Sequence, residues 1–297
     1  MNSQLTFTRI EKILDHIHQH IREPLSLEGL AEHSCWSRWQ LQRVFQDYTG
    51  FSVAQYVREI KLSCAAEALL DSNRRIMDIA MEYGFSSEIT FSRSFKNQFQ
   101  VSPKKYRANG IREGITTPLT RPVATHQQVC FPSEALYQVR LERKKTFRFC
   151  GTSAVVKGLL SETPDFTASV PKAWQAFFSK VPVETVLDVP HVALIDGYSE
   201  ANPGELIYWT GLETKQAQPL SPDLHCQQVP EQDYAVLPYQ GPVADFHKSI
   251  IWLLGSWLPD SGYQGAENAF EAEVYYPPFD PSHQRIRAEY WLPIVSN

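Results

Sequence analysis

Five polar side chains stand close together between residues 88 and 96, and their types point to one kind of chemistry. The five are Glu88, Thr90, Ser92, Arg93 and Lys96. Carboxylates, hydroxyls and guanidinium groups form hydrogen bonds with the edges of nucleic-acid bases, and Arg and Lys also contact phosphates. A helix that carries them on one face is chemically suited to contact a nucleic acid.

The surrounding residues predict two short helices that meet at Gly84. Apolar residues recur at helical spacing on both sides of this glycine: Ile76, Ile79, Ala80, Phe91, Phe95 and Phe99. Gly84 accommodates the positive φ of a tight turn, and Ser86 or Ser87 can cap the second helix. This pattern predicts a helix-turn-helix, with an ordinary αα-hairpin as the alternative.

A second copy of the pattern lies 49 residues upstream, and it favours the helix-turn-helix. Residues 31–35 repeat the spacing of residues 80–84, and Ser37 is a suitable N-cap for a helix over 38–48. The face opposite the apolar positions of that helix carries Trp39, Gln42, Arg43 and Gln46. A helix predicted over 53–70 joins the two copies. The second helix of each copy can therefore enter one of two successive major grooves, about 34 Å apart.

Residues 8–108 resemble the DNA-binding domain of the AraC/XylS family of bacterial transcription regulators. The diagnostic spacing is that of Phe91, Arg93, Phe95, Lys96, Phe99, Ser102, Pro103, Tyr106 and Arg107. Residues 24–27 and 37–45 are most similar to the MarA/SoxS/Rob branch. The resemblance implies base contacts by Trp39, Gln42, Arg43, Glu88, Thr90 and Ser92. We assign phosphate contacts to Ser37, Arg38, Arg93 and Lys96.

The chain departs from this branch at three positions. Cys35 stands where the first turn usually has glycine, which predicts a strained or differently shaped turn. Glu88 and Ile89 replace two residues that are usually glutamines, so the second helix either reads a different sequence or only contacts the backbone. Two alternatives for single residues stay open: Trp39 packs in the core, or Arg93 forms an ion pair with a nearby carboxylate.

Charge is distributed unevenly along the chain. The 297 residues carry a formal net charge of −5. The first 114 residues contain 15 basic and 13 acidic side chains, whereas the remainder contains 13 basic and 20 acidic ones. A mildly basic part joined to an acidic part is typical of a nucleic-acid-binding module attached to a different domain.

Composition excludes several classes of protein. No secretory signal and no apolar stretch long enough to span a bilayer are visible, so we expect a cytoplasmic protein. Five cysteines, at positions 35, 64, 130, 150 and 226, show no CxxC spacing, and we expect reduced thiols rather than disulfides or a zinc site. We expect no cofactor and no metal ion.

The second half has the texture of an α+β domain. We predict a DNA-binding domain over 1–112, a linker over 113–134 rich in Gly, Thr and Pro, and a second domain over 135–297. In the second domain the order strand, helix, strand, strand occurs twice, with helices over 168–180 and 243–258. The predicted fold is an all-α domain with two helix-turn-helix units joined by a long helix, followed by an α+β domain with a cleft between its repeats.

The second domain resembles the GyrI-like small-molecule-binding domain, and the order of the two domains resembles the Rob type of the same branch. The matching stretches are Tyr234-Ala235-Val236 with Gly241, Trp257-Leu258-Pro259 with Ser261-Gly262-Tyr263, and Ala288-Glu289-Tyr290-Trp291-Leu292-Pro293-Ile294. By this resemblance Glu289 lies in the cleft and meets cationic or aromatic ligands. The predicted aromatic walls are Trp174, Phe178, Tyr208, Trp252, Tyr263 and Trp291.

The leading hypothesis is a sequence-specific transcription regulator, an activator, that binds double-stranded DNA and RNA polymerase. Its second domain senses a small hydrophobic or cationic effector, because aromatic rings around a carboxylate attract lipophilic cations. Two alternatives concern the second domain. It hydrolyses electrophilic small molecules with Glu289 and a tyrosine, Tyr263 or Tyr208, or it is a protein-interaction module.

Overall fold

The computed structural model describes residues 3–122, 135–159, 161–197, 205–215, 221–279 and 284–296. The chain forms two compact units. The first contains the described residues up to 142, and the second contains those from Arg143 onward. Within the described residues, no helix has both the length and the apolar character that crossing a membrane requires.

The first unit is helical, as the sequence predicts. Its helices are α1 (Ser3–Gln19), α2 (Leu27–Ser34), α3 (Arg38–Thr49), α4 (Val53–Asp71), α5 (Ile76–Glu82), α6 (Glu88–Phe99) and α7 (Pro103–Asn109). Serine caps start most of them: the side chains of Ser26, Ser37, Ser52, Ser87 and Ser102 each accept a hydrogen bond from the backbone N–H three residues later. Each cap satisfies a donor that the first turn of a helix would otherwise leave unpaired.

Helix α4 is the centre of the first unit, with buried residues along its whole length. Tyr56 on α4 packs against Phe45 of α3, with ring centroids 5.6 Å apart. In the other half, Phe91 and Phe95 of α6 pack on each other, and Tyr106 of α7 packs edge-on against Phe95. The helix that follows each turn, α3 or α6, is therefore held by its own aromatic cluster.

Part of the segment predicted as a linker is packed onto α4. The strand β1 (Ile115–Thr116) pairs with β2 (Arg140–Lys144). The backbone N–H groups of Thr116 and Leu119 donate to the side-chain oxygens of Ser63 and Tyr56. The side chains of Ile115 and Leu119 are buried. Residues 123–134 of the predicted linker lie outside the described residues.

The second unit is built on one antiparallel sheet. Its strands are β3 (Phe147–Lys157), β4 (His191–Asp196), β5 (Glu205–Glu213), β6 (His225–Val229), β7 (Gln232–Pro242), β8 (Tyr263–Gly265), β9 (Glu271–Tyr275) and β10 (Arg285–Ser296). The order is β7-β10-β9-β4-β5-β3-β6, and β8 pairs with β10. The helices are α8 (Phe166–Phe178), α9 (Val243–Trp252) and, after a π-helical turn over Leu253–Trp257, α10 (Leu258–Asp260). A 3₁₀ turn covers Val183–Thr185.

The strand register separates two faces of the sheet. The helix-covered face carries Thr210, Ala193, Glu273, Tyr290 and Leu237 as neighbours across five strands. The Thr210 hydroxyl donates to the carbonyl oxygen of Ala173, which places α8 on this face. The opposite face has its own core of Phe149, Val192, Leu194, Val229, Tyr234, Val236, Ala272, Val274 and Trp291.

The expectation that all five cysteines are reduced is wrong for two of them. Cys150 on β3 and Cys226 on β6 are direct neighbours across the sheet and form a disulfide. The two residues are 76 positions apart in the sequence. Only the strand pairing brings them together, so their spacing gave no indication of the bond. Cys35 and Cys64 are free thiols, and position 130 lies outside the described residues.

Candidate nucleic-acid interface and ligand site

The N-terminal half of α3 presents an exposed polar face around one aromatic ring. Leu41 and Phe45 are fully buried, whereas the Trp39 side chain is 68% exposed. Trp39 therefore does not pack in the core, which was the alternative for this residue. Gln42 and Arg43 are also exposed, so the three predicted base-reading side chains of the first copy share one solvent-facing surface.

Arg43 is oriented by two neighbours on its own helix. Its guanidinium carbon lies 5.5 Å from the centroid of the Trp39 ring, a cation–π contact. Its Nε atom lies 3.9 Å from a carboxylate oxygen of Asp47. Both partners of this ion pair are exposed, so it contributes little stability, about 0.5 kcal/mol. Arg43 is therefore positioned by weak contacts and remains free to exchange them for a ligand.

The two predicted phosphate contacts at the start of α3 already have partners. The Ser37 hydroxyl accepts from the backbone N–H of Gln40, while the Gln40 side chain accepts from the backbone N–H of Ser37, so that the two form a capping box. Arg38 donates to Glu28 at 2.7 Å, and both side chains are exposed. Arg38 can therefore leave Glu28 for a phosphate, whereas Ser37 is part of the helix cap.

Helix α6 has the same arrangement of buried and exposed positions as α3, with different side chains. Phe91 and Phe95 are buried, and Ile89 is 81% exposed. The Thr90 hydroxyl donates to the carbonyl oxygen of Ser87 at 2.8 Å. This hydrogen bond commits the predicted base reader Thr90 to the cap.

The remaining predicted contacts of α6 differ in their exposure. Glu88, Arg93 and Lys96 are exposed, and Ser92 is half-buried. Arg93 forms no ion pair with Glu88 or Asp78 among the residues that the structure describes. The ion-pair alternative for Arg93 is therefore not what is seen.

The turns before α3 and α6 have the same backbone conformation. Cys35 has a φ of 55° and Gly84 a φ of 81°, both left-handed. In each turn the next residue, Trp36 or Phe85, donates its N–H to the carbonyl oxygen five residues earlier. Cys35 therefore keeps the shape that glycine gives to the second turn, despite its Cβ.

In the second unit, Glu289 lies in an open groove at the end of the sheet. Its carboxylate accepts hydrogen bonds from the Tyr276 hydroxyl at 2.8 Å and from the Trp291 indole N–H at 2.9 Å. The groove has a volume of about 550 Å³, and its other lining residues are Pro238, Tyr239, Gln240, Arg287 and Ala288. The tyrosine that donates this hydrogen bond, Tyr276, directly follows β9, whereas the sequence predicted Tyr263 or Tyr208.

A second carboxylate, Glu273, lies on the helix-covered face, where three of the six predicted aromatic walls contact it directly or through another ring. It accepts from the hydroxyls of Tyr208 and Tyr275, at 2.5 and 2.6 Å. The Trp174 ring of α8 packs edge-on against Tyr275 at 5.7 Å and stacks on Phe178 at 5.6 Å. Tyr208 thus contacts Glu273 directly, and Trp174 and Phe178 follow in succession behind the Tyr275 ring, whereas Glu289 and Trp291 belong to the opposite face.

Burial controls the titration of this cluster. It raises the pKa of Glu273, and the hydrogen bonds from Tyr208 and Tyr275 oppose that rise in part. Burial also raises the pKa of Glu271, two residues earlier on the same face, which accepts from Tyr290. In the described part of the structure neither carboxylate forms an ion pair with Lys or Arg. Glu273 is therefore a buried carboxylate with hydroxyl partners and no neighbouring cation.

The other two predicted wall residues, Tyr263 and Trp252, lie on β8 and at the end of α9. Tyr263 of β8 stacks on Trp257 with ring centroids 6.3 Å apart. Trp252 is buried at the end of α9. The sequence did contain a signal for the missed Glu273, because Glu271-Ala272-Glu273-Val274-Tyr275 places carboxylates inside a strand of apolar residues, as at Glu289.

Comparison with known proteins identifies both units. A helix-turn-helix domain model matches residues 30–109, and the GyrI-like small molecule binding domain model matches residues 137–295. The two matches identify an AraC-type DNA-binding transcription regulator with a GyrI-like small-molecule-binding domain. Because the second match covers more than half of the chain, the chain belongs to the GyrI-like small-molecule-binding family. The resemblance stated from the sequence is therefore confirmed.

One relative matches nearly the whole chain, and two others match about a third of it. The chain is 28% identical over 302 residues to the transcriptional regulator Rob of Salmonella typhimurium, which covers 96% of this chain and 97% of Rob. Its first part is 45% identical over 103 residues to the multiple antibiotic resistance protein MarA of Escherichia coli, covering 35% of this chain and 81% of MarA. A solved AraC-type regulator from Chromobacterium violaceum is 32% identical, covers 36% of this chain and 94% of its own, and has a TM-score of 0.33.

Proposed function

We propose that the protein is a cytoplasmic transcription activator that places α3 and α6 in successive major grooves of duplex DNA. The observation that carries the proposal is the duplication of a serine-capped helix with a buried aromatic side and an exposed polar side. The cap positions Ser37 and Ser87 are 50 residues apart, as are Ser52 and Ser102 at the following helices. Such repetition suits a site with two half-sites one helical turn apart, about 10 base pairs.

In this proposal the equivalent arginines of the two helices have different tasks. Arg43, held against Trp39, donates to the N7 and O6 atoms of a guanine, which is the commonest specific contact of arginine with DNA. Arg93, at the same place in α6, contacts phosphates together with Lys96. Base contacts specify the sequence, whereas phosphate contacts supply affinity that depends on salt.

Selection of bound duplexes from a random pool by the full chain tests this proposal. Against the selected site, Arg43→Ala should weaken binding by about 10- to 100-fold and relax the preference at one base pair, since a bidentate contact is worth about 1–3 kcal/mol. The matched variant Arg93→Ala should weaken specific and scrambled duplexes alike and reduce the salt slope by about 1. Equal binding of selected and scrambled duplexes by the unaltered chain at physiological salt would contradict the proposal of a sequence-specific regulator.

We propose further that the second unit binds a lipophilic cation through Glu273. The support is the pair of tyrosines on this carboxylate, Tyr208 and Tyr275, with Trp174 packed behind Tyr275, together with the absence of an ion pair to Glu273 among the described residues. A cation enclosed there gains both charge attraction and cation–π contacts. Cation binding favours the ionised carboxylate, so binding releases a proton, and affinity should fall when the pH drops through the raised pKa of Glu273.

Titration with tetraphenylphosphonium as the cation, and triphenylphosphine oxide as a neutral probe of similar shape, distinguishes the two carboxylates. Glu273→Gln should weaken the cation at least tenfold and leave the neutral probe unchanged, whereas Glu289→Gln should leave both unchanged. The reverse result would assign the cation to the open groove of Glu289. If neither variant alters the binding of the cation, neither carboxylate is its site.

Activation is tested by transcription from a promoter that carries the selected site, with purified RNA polymerase as the proposed partner. Addition of the full chain should raise transcript levels, and a decrease would indicate a repressor. The hydrolase alternative names Tyr263 or Tyr208 as the partner of Glu289, whereas the hydroxyl that donates to this carboxylate belongs to Tyr276. The Trp291 indole N–H also donates to Glu289.

A further inference from the structure

The second residue of α6 and the second residue of α3 have one property in common. Ile89 follows the cap residue Ser87 by two positions and is 81% exposed. Trp39 follows the cap residue Ser37 by two positions and is 68% exposed. A single exposed apolar residue has no special meaning on a protein surface. Two of them at the equivalent position of two duplicated helices do, because the first turn of a recognition helix is the part that meets base edges.

The neighbours of Ile89 leave it as the projecting group of this turn. The Thr90 hydroxyl is bonded to the carbonyl oxygen of Ser87 and therefore points back along the helix. Glu88 is acidic, which disfavours its approach to the phosphate backbone. The buried Phe91 anchors the opposite side of the helix. A helix that docked with its first turn toward DNA would bring the Ile89 side chain to the base edges.

An isoleucine side chain has no hydrogen-bond donor or acceptor, so it cannot read the polar atoms of a base pair. In the major groove the only apolar group on a base edge is the C5-methyl of thymine. We propose that Ile89 reads a thymine through this methyl group in the half-site that faces α6. The inference rests on the proposed placement of α6 in a major groove, and it specifies what that helix recognises.

The chemistry predicts a small and well-defined energetic effect. Removal of one methyl contact, by replacing thymine with uracil, should weaken binding about fourfold, which corresponds to the roughly 0.8 kcal/mol of one buried methylene-sized group. Uracil keeps the hydrogen-bonding edge of thymine, so the substitution removes the methyl group alone. The same logic makes 5-methylcytosine a better replacement for that thymine than cytosine.

The experiment uses the full chain and a duplex chosen by selection from a random pool. Each thymine in both half-sites is replaced by uracil, one at a time, and the dissociation constants are measured. One thymine of the half-site facing α6 should show the fourfold loss, and Ile89→Ala should abolish that loss while uracil effects in the other half-site persist. Ile89→Gln should also abolish it and shift the preference at that base pair toward adenine, which glutamine reads through two hydrogen bonds.

The outcomes separate the two proposals. If the selection yields no specific duplex, the placement of α3 and α6 on DNA fails. If a specific duplex is found but no thymine facing α6 responds to uracil, or the response persists in Ile89→Ala, the assignment of Ile89 fails alone. Because Ile89 is exposed, the melting temperature of Ile89→Ala should equal that of the unaltered chain, so a loss of binding is not a loss of folding.

Discussion

The two helix-turn-helix copies of the first unit share a framework and differ on the surface that they expose. Both have a buried alanine before the turn, Ala31 or Ala80, and a left-handed turn residue. Both have a serine cap and two buried positions in the following helix. The exposed residues are different. The first copy has a cation–π pair of Arg43 and Trp39, whereas the second copy has Ile89 at the position equivalent to Trp39. Packing constrains the framework in both copies, and the reading surface is free to vary.

A buried tyrosine extends the comparison beyond the turns. Tyr56 and Tyr106 occupy equivalent positions, four residues after the caps Ser52 and Ser102. The Tyr56 hydroxyl bonds to the His18 ring and accepts from Leu119, whereas the Tyr106 hydroxyl donates to the carbonyl oxygen of Glu113. Both tyrosines therefore attach the segment after α7 to the helical core, and the Tyr56 hydroxyl also bonds to a titratable side chain of α1, His18.

The largest expected effect tests whether the two frameworks are equally important. Phe45→Ala and Phe95→Ala remove equivalent side chains, each with no exposed surface. Each substitution should lower the free energy of unfolding by about 3–5 kcal/mol, because it leaves a cavity as well as losing burial. Urea unfolding followed by circular dichroism measures the change. A loss below about 1 kcal/mol in one copy only would show that the two clusters are not equivalent.

Lowering the pH should destabilise the packing around Tyr56 more than the packing around Tyr106. Burial lowers the pKa of His18 to about 4, against a smaller opposing influence of Asp15. Since this folded-state pKa lies below the unfolded value of 6.5, the stabilisation is complete above pH 6.5 and is lost as the pH falls toward 4. A shift of this size corresponds to about 3 kcal/mol.

The measurement compares the pH dependence of unfolding in the unaltered chain and in His18→Gln. Glutamine retains a partner for Tyr56 but does not titrate, so the variant should lose less stability between pH 6.5 and 4.5. The carboxylates that titrate in the same range are common to both proteins and cancel in the difference. Identical pH profiles would show that His18 is protonated in the folded protein without cost.

The first unit was predictable because its signals are local. A serine cap, an apolar period and a tight turn are each defined within a few residues, and each helix α2 to α6 has at least one of these signals. The packed part of the predicted linker was missed, because residues 115–122 have no period of their own. Their partners are side chains of α4, Tyr56 and Ser63, more than 50 residues away.

In the second unit, the positions of six of the eight strands were predictable, β6 and β8 being the exceptions, and strand partners were not. Glu289 was selected as a carboxylate among apolar residues, and Glu273 satisfies the same criterion. Which of the two faces the helices depends on the register between β9 and β10, where each residue alternates between the faces. The disulfide has the same origin, since Cys150 and Cys226 meet only through the pairing of β3 with β6.

The turn residues offer a sharper test of the shared framework. Gly84→Ala should lower the free energy of unfolding by about 1–2 kcal/mol, because its φ of 81° is unfavourable for a residue with a Cβ. The added Cβ would also lie 3.1 Å from the Lys61 ammonium. Cys35→Gly should have the opposite sign and raise the stability by about 1 kcal/mol. Thermal unfolding of both variants checks the signs, and a destabilising Cys35→Gly would show that the thiol side chain contributes packing that outweighs the backbone.

The smallest effect distinguishes the two helix caps. Ser37→Ala and Ser87→Ala should each cost about 1 kcal/mol, since each removes the acceptor for one N–H of the first turn. Gln40→Ala should add a further loss of a few tenths to 1 kcal/mol, because only the first copy closes a capping box. The equivalent residue of the second copy, Thr90, bonds to the carbonyl oxygen of Ser87 and leaves the N–H of the cap residue without that reciprocal partner. Urea unfolding of Gln40→Ala and Thr90→Ala therefore reports whether the N-terminus of α3 is more stable than that of α6. Equal losses of unfolding free energy would mean that the capping box adds nothing to the Ser37 cap.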